Sequence, residues 1–245
     1  MIERILVLPD VHLTAKVPKE YKVVKPFIKD FKPHRTILLG DFMDCESVSH
    51  WIKDKARLIE GKRYKQECLT AQKELNYINK HSKKVIWLEG NHENWVEQYV
   101  DKHPEMEGLI EIPEVMNLDS KQIDWIPQDE IYCIGHLNFI HGWYTTKYHA
   151  AKHLDAMGDC VIYGHTHLPQ SFSKNMALHK EIMGYGLGCL CGKAPEYMRG
   201  RFANWINQFA VIYHDTLTGN FNLYPINVID YSFIWNGKRY ISLKK

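Results

Sequence analysis

Apolar residues recur along the chain in five short runs of one form, each closing abruptly on polar residues able to bind a ligand. Ile5-Leu6-Val7-Leu8 leads to Asp10 and His12, Thr36-Ile37-Leu38-Leu39 to Gly40-Asp41, and Val85-Ile86-Trp87-Leu88 to Gly90-Asn91-His92. Leu137-Asn138-Phe139-Ile140 leads to His141, and Val161-Ile162-Tyr163 to Gly164-His165. Short β-branched and aromatic runs bounded by glycine or proline predict buried strands. Between them the period lengthens. Lys62 to Asn79 places Tyr64, Cys68, Ala71, Leu75 and Ile78 three or four residues apart, the single apolar face of a helix. Glu93 to Val100 and Thr146 to Met157 repeat that pattern. Alternating strand and helix predicts an α/β layer structure with a largely parallel sheet. After about residue 170, Thr218-Gly219-Asn220 and Trp235-Asn236-Gly237-Lys238 mark hairpin turns, which predict an antiparallel meander around 205–243. No repeat, low-complexity tract or linker interrupts the 245 residues. They read as one domain, with a helical basic insertion around 46–84. Gly184-Tyr185-Gly186-Leu187-Gly188 is no dinucleotide fingerprint, because Cys189-Leu190-Cys191 reads as continuing strand rather than the start of a helix.

Composition narrows the class. With 31 basic and 29 acidic residues the net charge is +2, and 45% of positions are apolar, the balance of an ordinary folded protein without a polycationic arm or acidic tail. Six cysteines are too few for a disulfide scaffold and none forms a C-x-x-C pair. Met1 to Asp10 has no basic region or signal-length apolar stretch, and no segment approaches the roughly 18 apolar residues of a membrane span. The expectation is a cytoplasmic protein with reduced thiols and no membrane contact. Fourteen histidines stand out, since imidazole is both a common metal ligand and an acid–base catalyst.

Position sorts those histidines. The residues that end the five strands are Asp10, His12, Asp41, Asn91, His141, His165 and His167. In open α/β folds, ligands gather where strand ends meet loops. Carboxylate, imidazole and carboxamide without thiolate disfavour a closed structural zinc site. Seven donors exceed the needs of one tetrahedral ion, so two ions sharing a carboxylate fit the count better. His34, His50, His81, His103, His136, His179 and His214 read as structural or surface residues. His149 and His153 are spaced i, i+4, but residue 150 is alanine, so they lack the H-E-x-x-H of a metalloprotease helix.

Asp10-Val11-His12, Gly40-Asp41-Phe42-Met43-Asp44, Gly90-Asn91-His92-Glu93, His141-Gly142 and Gly164-His165-Thr166-His167 resemble, in order, the five motifs of the calcineurin-like metallophosphoesterases, phage and prokaryotic members included. The resemblance implies a four-layer αββα sandwich of two mixed β-sheets flanked by helices. It implies that Asp10, His12, Asp41 and His167 hold one divalent ion and Asp41, Asn91, His141 and His165 the other, with Asp41 bridging. Mn²⁺ is the first expectation, with Fe, Zn²⁺, Ni²⁺ or Mg²⁺ as alternatives. A metal-bridging hydroxide would attack phosphorus. His92, facing the substrate beside Asn91 and oriented by Asp44, would protonate the leaving oxygen.

The substrate class is less closely bounded. Related protein phosphatases continue the second motif with arginine and glycine, where this chain has Cys45 and Glu46. Residues 53 to 84 hold ten basic side chains against four acidic ones, a wall that could attract a nucleic-acid strand. Lys193, Arg199 and Arg201, near Tyr197, offer further phosphate contacts. The expectation is a dinuclear phosphodiesterase, and in particular a nuclease on DNA or RNA. A phosphomonoesterase on small metabolites is the alternative, and a non-catalytic binding scaffold a remote one. Oligomeric state is left open.

Overall fold

All five apolar runs are strands, and each stops where its polar motif begins. In the computed structural model, which describes residues 1–51, 54–177, 181–193 and 202–242, the chain runs β1 (Ile2–Leu8), α1 (Lys19–Lys22), α2 (Val24–Phe31), β2 (Arg35–Leu38), α3 (Ala56–Ile59), α4 (Tyr64–His81) and β3 (Lys84–Leu88). It continues through α5 (Asn91–Val100), α6 (Ile112–Met116), β4 (Ile123–Ile126), β5 (Tyr132–Ile134), β6 (Leu137–Ile140), α7 (His149–Met157) and β7 (Cys160–Tyr163). The remaining strands are β8 (Gln170–Asn175), β9 (Glu181–Gly186), β10 (Gln208–Asp215), β11 (Phe221–Asn227), β12 (Ser232–Trp235) and β13 (Lys238–Ile241).

Two mixed sheets result. One has the order β11-β10-β1-β2-β3-β4 and the other β5-β6-β7-β9-β8. In the first, β1 to β4 pair in parallel, while β10 runs antiparallel to both β1 and β11. In the second, β6, β7 and β9 are parallel and the edge strands β5 and β8 are antiparallel.

Side-chain alternation shows why the sheets face each other. Ile5 and Val7 of β1, Ile86 and Leu88 of β3, and Ala210 and Ile212 of β10 join Phe139 of β6 and Val161 of β7 in one core. Their alternates, Leu6, Leu8, Val85, Trp87, Phe209 and Val211, join Phe27 and Ile28 of α2 and Ala71 and Leu75 of α4 in another. A strand apolar on both faces must be covered on both. Each fully buried side chain of this size contributes roughly 1.5–3 kcal/mol. On the far side, Ala150 and Leu154 of α7 close the second sheet. These are the layers of an αββα sandwich.

The C-terminal hairpins divide. β10 and β11 extend the first sheet, whereas β12 and β13 form a separate two-stranded ribbon. Asn236 and Gly237 both take positive φ, as a two-residue I′ turn requires, and Phe233 and Tyr240 of the ribbon pack on Phe27. Cys189-Leu190-Cys191 does not prolong β9. Cys189 bridges to Asn207, and the Leu190 amide donates to the Asp10 carbonyl at 3.0 Å. The segment thus crosses from one sheet to the other directly beneath Asp10. No helix among the described residues is long and apolar enough to cross a membrane.

Candidate metal centre

The strand ends of both sheets deliver their polar residues to one place, and tight backbone geometry aims them. Asp10, His12, Asp41, His165 and His167 all have φ between 44° and 66°, the left-handed region that side chains with a Cβ seldom occupy. Gly164 lets the sheets approach: a Cβ there would lie 2.3 Å from Asp10 Oδ2. That same Asp10 carboxylate accepts the His165 amide at 3.0 Å. Asp41 is backed by α5, since its Oδ1 accepts the His92 amide at 2.9 Å in the first turn, where the helix end carries partial positive charge.

The donors form two groups that share Asp41. Ligand atoms of Asp10, His12 and Asp41 lie within 4.8 Å of one another, and so do those of Asp41, His141 and His165. His167 joins the first through Nε2, 3.2 Å from Asp10 Oδ1 and 3.2 Å from His12 Nε2. Asn91 joins the second through Oδ1, 3.1 Å from His141 Nε2. All seven residues expected as ligands are therefore brought together.

Proton accounting tests whether cations fit. His141 Nδ1 donates to the Leu39 carbonyl at 2.9 Å, and its Nε2 faces Asn91 Oδ1 at 3.1 Å and Asp41 Oδ2 at 3.4 Å. His12 Nδ1 donates to Asp44 Oδ1 at 3.0 Å, and its Nε2 faces His167 Nε2 at 3.2 Å. Carboxylates and imidazoles crowded at these distances need positive charge among them, which protons on the imidazoles or a bound cation can supply. Spacings of this size are those of atoms that share a divalent ion. Asp41 shows the same demand. Burial opposes its ionisation, yet His141 and His92 hold it well below the usual carboxylate range. Burial lowers His141, but Asp41 more than reverses this and lifts it to about 10.

His92 stands at the edge of the cluster. Nδ1 donates to the Asp44 carbonyl oxygen at 2.7 Å, and Nε2 is 3.9 Å from Asp41 Oδ2. Trp95 lies against its ring with centroids 3.9 Å apart. Burial disfavours its charge, but Asp41 and Asp44 raise its pKa to about 9. The Asp44 carboxylate lies 3.0 Å from His12 and 3.4 Å from His92, so its side chain faces both rings while its backbone carbonyl also holds His92.

Glu93 is a site residue that the motif reading passed over. It is buried, and its carboxylate accepts the amides of Asp41 (2.8 Å), Met43 (2.8 Å) and Gly90 (3.0 Å). It thereby clips the loop after β2 to the start of α5. An acid in the first turn of a helix is a recognised cap, and that signal was present in Gly90-Asn91-His92-Glu93.

A cavity of about 640 Å³ opens beside His12, Asp44 and His167, with Trp205 on one wall. Of the basic segment's described residues, Lys62 and Arg63 line it together with Glu60 and Glu67, and Lys62 is paired with Glu46. The expected positive wall is therefore a mixed one. Arg199, Tyr197 and Arg201 lie outside the described residues.

An αββα sandwich whose strand ends converge oxygen and imidazole donors around one shared carboxylate defines a metal-binding phosphoesterase-type protein. The chain belongs to the calcineurin-like phosphoesterase family, which it matches over residues 3–169. It is 25% identical over 246 residues to the Gene 54 protein of Mycobacterium phage L5, with 86% of this chain and 89% of that protein aligned. Among solved structures it resembles a single mutant of Vps29 from Entamoeba histolytica, with a TM-score of 0.51, 13% identity, and 94% and 96% of the two chains covered. Vacuolar Protein Sorting 29 from Cryptosporidium parvum matches with the same TM-score and identity over 98% of this chain and 96% of that one. These two share the fold.

Proposed function

We propose that the chain is a dinuclear metal-dependent phosphodiesterase, with nucleic acid as its substrate class. The observation that carries this reading is the sharing of Asp41 between two donor groups. In the proposal, Asp10, His12, Asp41 and His167 hold one divalent cation and Asp41, Asn91, His141 and His165 the other. Two cations so placed lower the pKa of a water and clamp phosphoryl oxygens. The chain's own residues do the rest. Asp44 fixes the His12 ring through Nδ1, the Leu39 carbonyl fixes His141, and Glu93 holds the loop that carries Asp41. His92, steered by the Asp44 carbonyl, delivers a proton from Nε2 to the departing ester oxygen, and Asn91 and His92 both contact the phosphoryl group.

A diester is favoured over a monoester by the residues after the second motif. Cys45 is buried and Glu46 is paired with Lys62, so neither position supplies a guanidinium for a dianionic phosphate. The cavity beside His12, Asp44 and His167 gives room for a further organic group, and Trp205 on its wall offers a face for a base. The test compares bis-p-nitrophenyl phosphate with p-nitrophenyl phosphate under Mn²⁺, beside single- and double-stranded oligonucleotides. The diester and at least one oligonucleotide should be cleaved. A strong monoester preference without polymer cleavage would replace the reading with a phosphomonoesterase, and no turnover with any divalent metal would leave a binding scaffold.

A further inference from the structure

The two histidines of α7 lie directly beneath one half of the metal centre. His141 ends its strand, and the chain leaves through Gly142, Trp143 and Tyr144. The amides of Trp143 and Tyr144 both donate to a single atom, His153 Nε2, at 2.8 and 3.2 Å. His153 is wholly buried, and its Nδ1 donates to the His149 carbonyl at 2.8 Å, one turn earlier in α7. That bond fixes the tautomer: the proton sits on Nδ1 and Nε2 is a bare lone pair. Successive amides converging on one point usually enclose an anion; here a neutral imidazole takes that part.

The ring is held in place from below. Tyr163 stacks on it with centroids 3.7 Å apart, and the Tyr163 hydroxyl pairs with His149 Nδ1 at 2.6 Å. Tyr163 ends β7, two residues before His165. One buried imidazole therefore ties the loop that follows His141 to the strand that precedes His165. These are the two histidines that form a donor group with Asp41.

We infer that His153 is a positioning residue for the His141–His165 half of the centre, setting how tightly that half holds its ion while leaving the Asp10–His12–His167 half alone. The inference rests on the dinuclear reading. Partners hydrogen-bonded directly to metal ligands are worth roughly 10–100-fold in affinity, and His153 acts one step further back, through the backbone that follows His141. Mn²⁺ is titrated calorimetrically into the metal-stripped full chain as wild type, H153L, H153Q, H165A and H153L/H165A, with circular dichroism to follow the fold. Wild type should bind two ions. H153L should bind one of them about 10-fold more weakly, the lower end of that range, and the other unchanged. H153Q, which keeps an acceptor oxygen, should recover much of the loss, and the double variant should bind no worse than H165A. Two ions bound by H153L at wild-type affinity, or equal weakening of both, would overturn the inference. If H153L fails to fold, H153M against H153Q makes the same comparison of acceptor absent and present. A wild type that binds a single ion would instead remove the dinuclear reading itself.

Discussion

Five of the seven donor residues take backbone conformations that cost on the order of 1–3 kcal/mol each. Such strain persists only where neighbours over-determine it, and here the neighbours are one another: Asp10 accepts the His165 amide, and Leu190 donates to Asp10. Gly164→Ala should therefore be severe, because its Cβ would fall 2.3 Å from Asp10 Oδ2. We expect loss of bound Mn²⁺ by elemental analysis, with activity falling at all metal concentrations. Asp44 allows a finer test. Asp44→Asn leaves the carbonyl that holds His92 but takes the charge from behind His12. It should weaken metal affinity about 10–100-fold while turnover at saturating Mn²⁺ stays well above that of His92→Ala. The latter should lose about 10²–10⁴-fold with metal content unchanged, and paired metal and rate titrations separate the two. The donors were legible in the sequence because each is a polar residue set against an apolar run. Glu93 was legible only as a helix cap, not in its hold on the Asp41 and Met43 amides, and His153 was not legible at all, since a contact with backbone amides of another segment leaves no local pattern.

Helix α4 carries a burden of its own at the scale of elements. Its apolar face, Cys68, Ala71, Leu75 and Ile78, is buried, but Glu67 in the first turn is buried too, with one carboxylate oxygen lacking a hydrogen-bond partner. Burial, with Asp44 and Glu46 adding to it and Lys62 opposing, raises its pKa from 4.5 to about 8. A carboxyl whose pKa is higher folded than unfolded stabilises fully below 4.5, and that contribution is lost as pH rises through about 8. Wild type should accordingly lose stability between those limits relative to Glu67→Gln. Melting curves at pH 5 and 8.5 should show the variant gaining on the order of 10 °C more at the higher value. If the difference between the two proteins is the same at both pH values, Glu67 does not titrate in that window. The strands under the motifs were legible from their alternation with helices. The outer strands β5 and β8 were not: β5 is only three residues, Tyr132-Cys133-Ile134, and β8 is largely polar and exposed, reading Gln170-Ser171-Phe172-Ser173-Lys174-Asn175. The ribbon's turn could be read from Asn-Gly, but its detachment from the sheet could not, because a turn specifies its own two strands and not what lies beside them.

The molecule as a whole is two sheets whose facing ends meet at the donors. Asp10, His12, Asp41 and Asn91 follow strands of the first sheet, while His141, His165 and His167 follow strands of the second. Cations bound there would join the layers, so chelation should loosen the sandwich. Ligand present at 100 times its dissociation constant adds about 2.7 kcal/mol, or roughly 5–10 °C for a chain of this size. Calorimetric scans with EDTA and with Mn²⁺ should differ by that much, and identical melting temperatures would mean that the donors do not bind ions in the folded state. The layer architecture was legible because apolar faces on both sides of a strand demand cover on both sides.

The register of the first sheet bears on how the molecule is made. β1, whose end supplies Asp10 and His12, pairs with β2 on one side and, from Ile2 to Val7, with β10 on the other. All seven donors lie at or before residue 167, yet the strand that covers this edge of β1 is not finished until residue 215. The whole ligand set thus precedes in the chain both the residues that pair with this edge of β1 and the Leu190 amide that donates to Asp10. A chain cut before β10 would carry all five motifs with this edge of β1 unpaired from Ile2 to Val7, and should bind Mn²⁺ more weakly than the full chain.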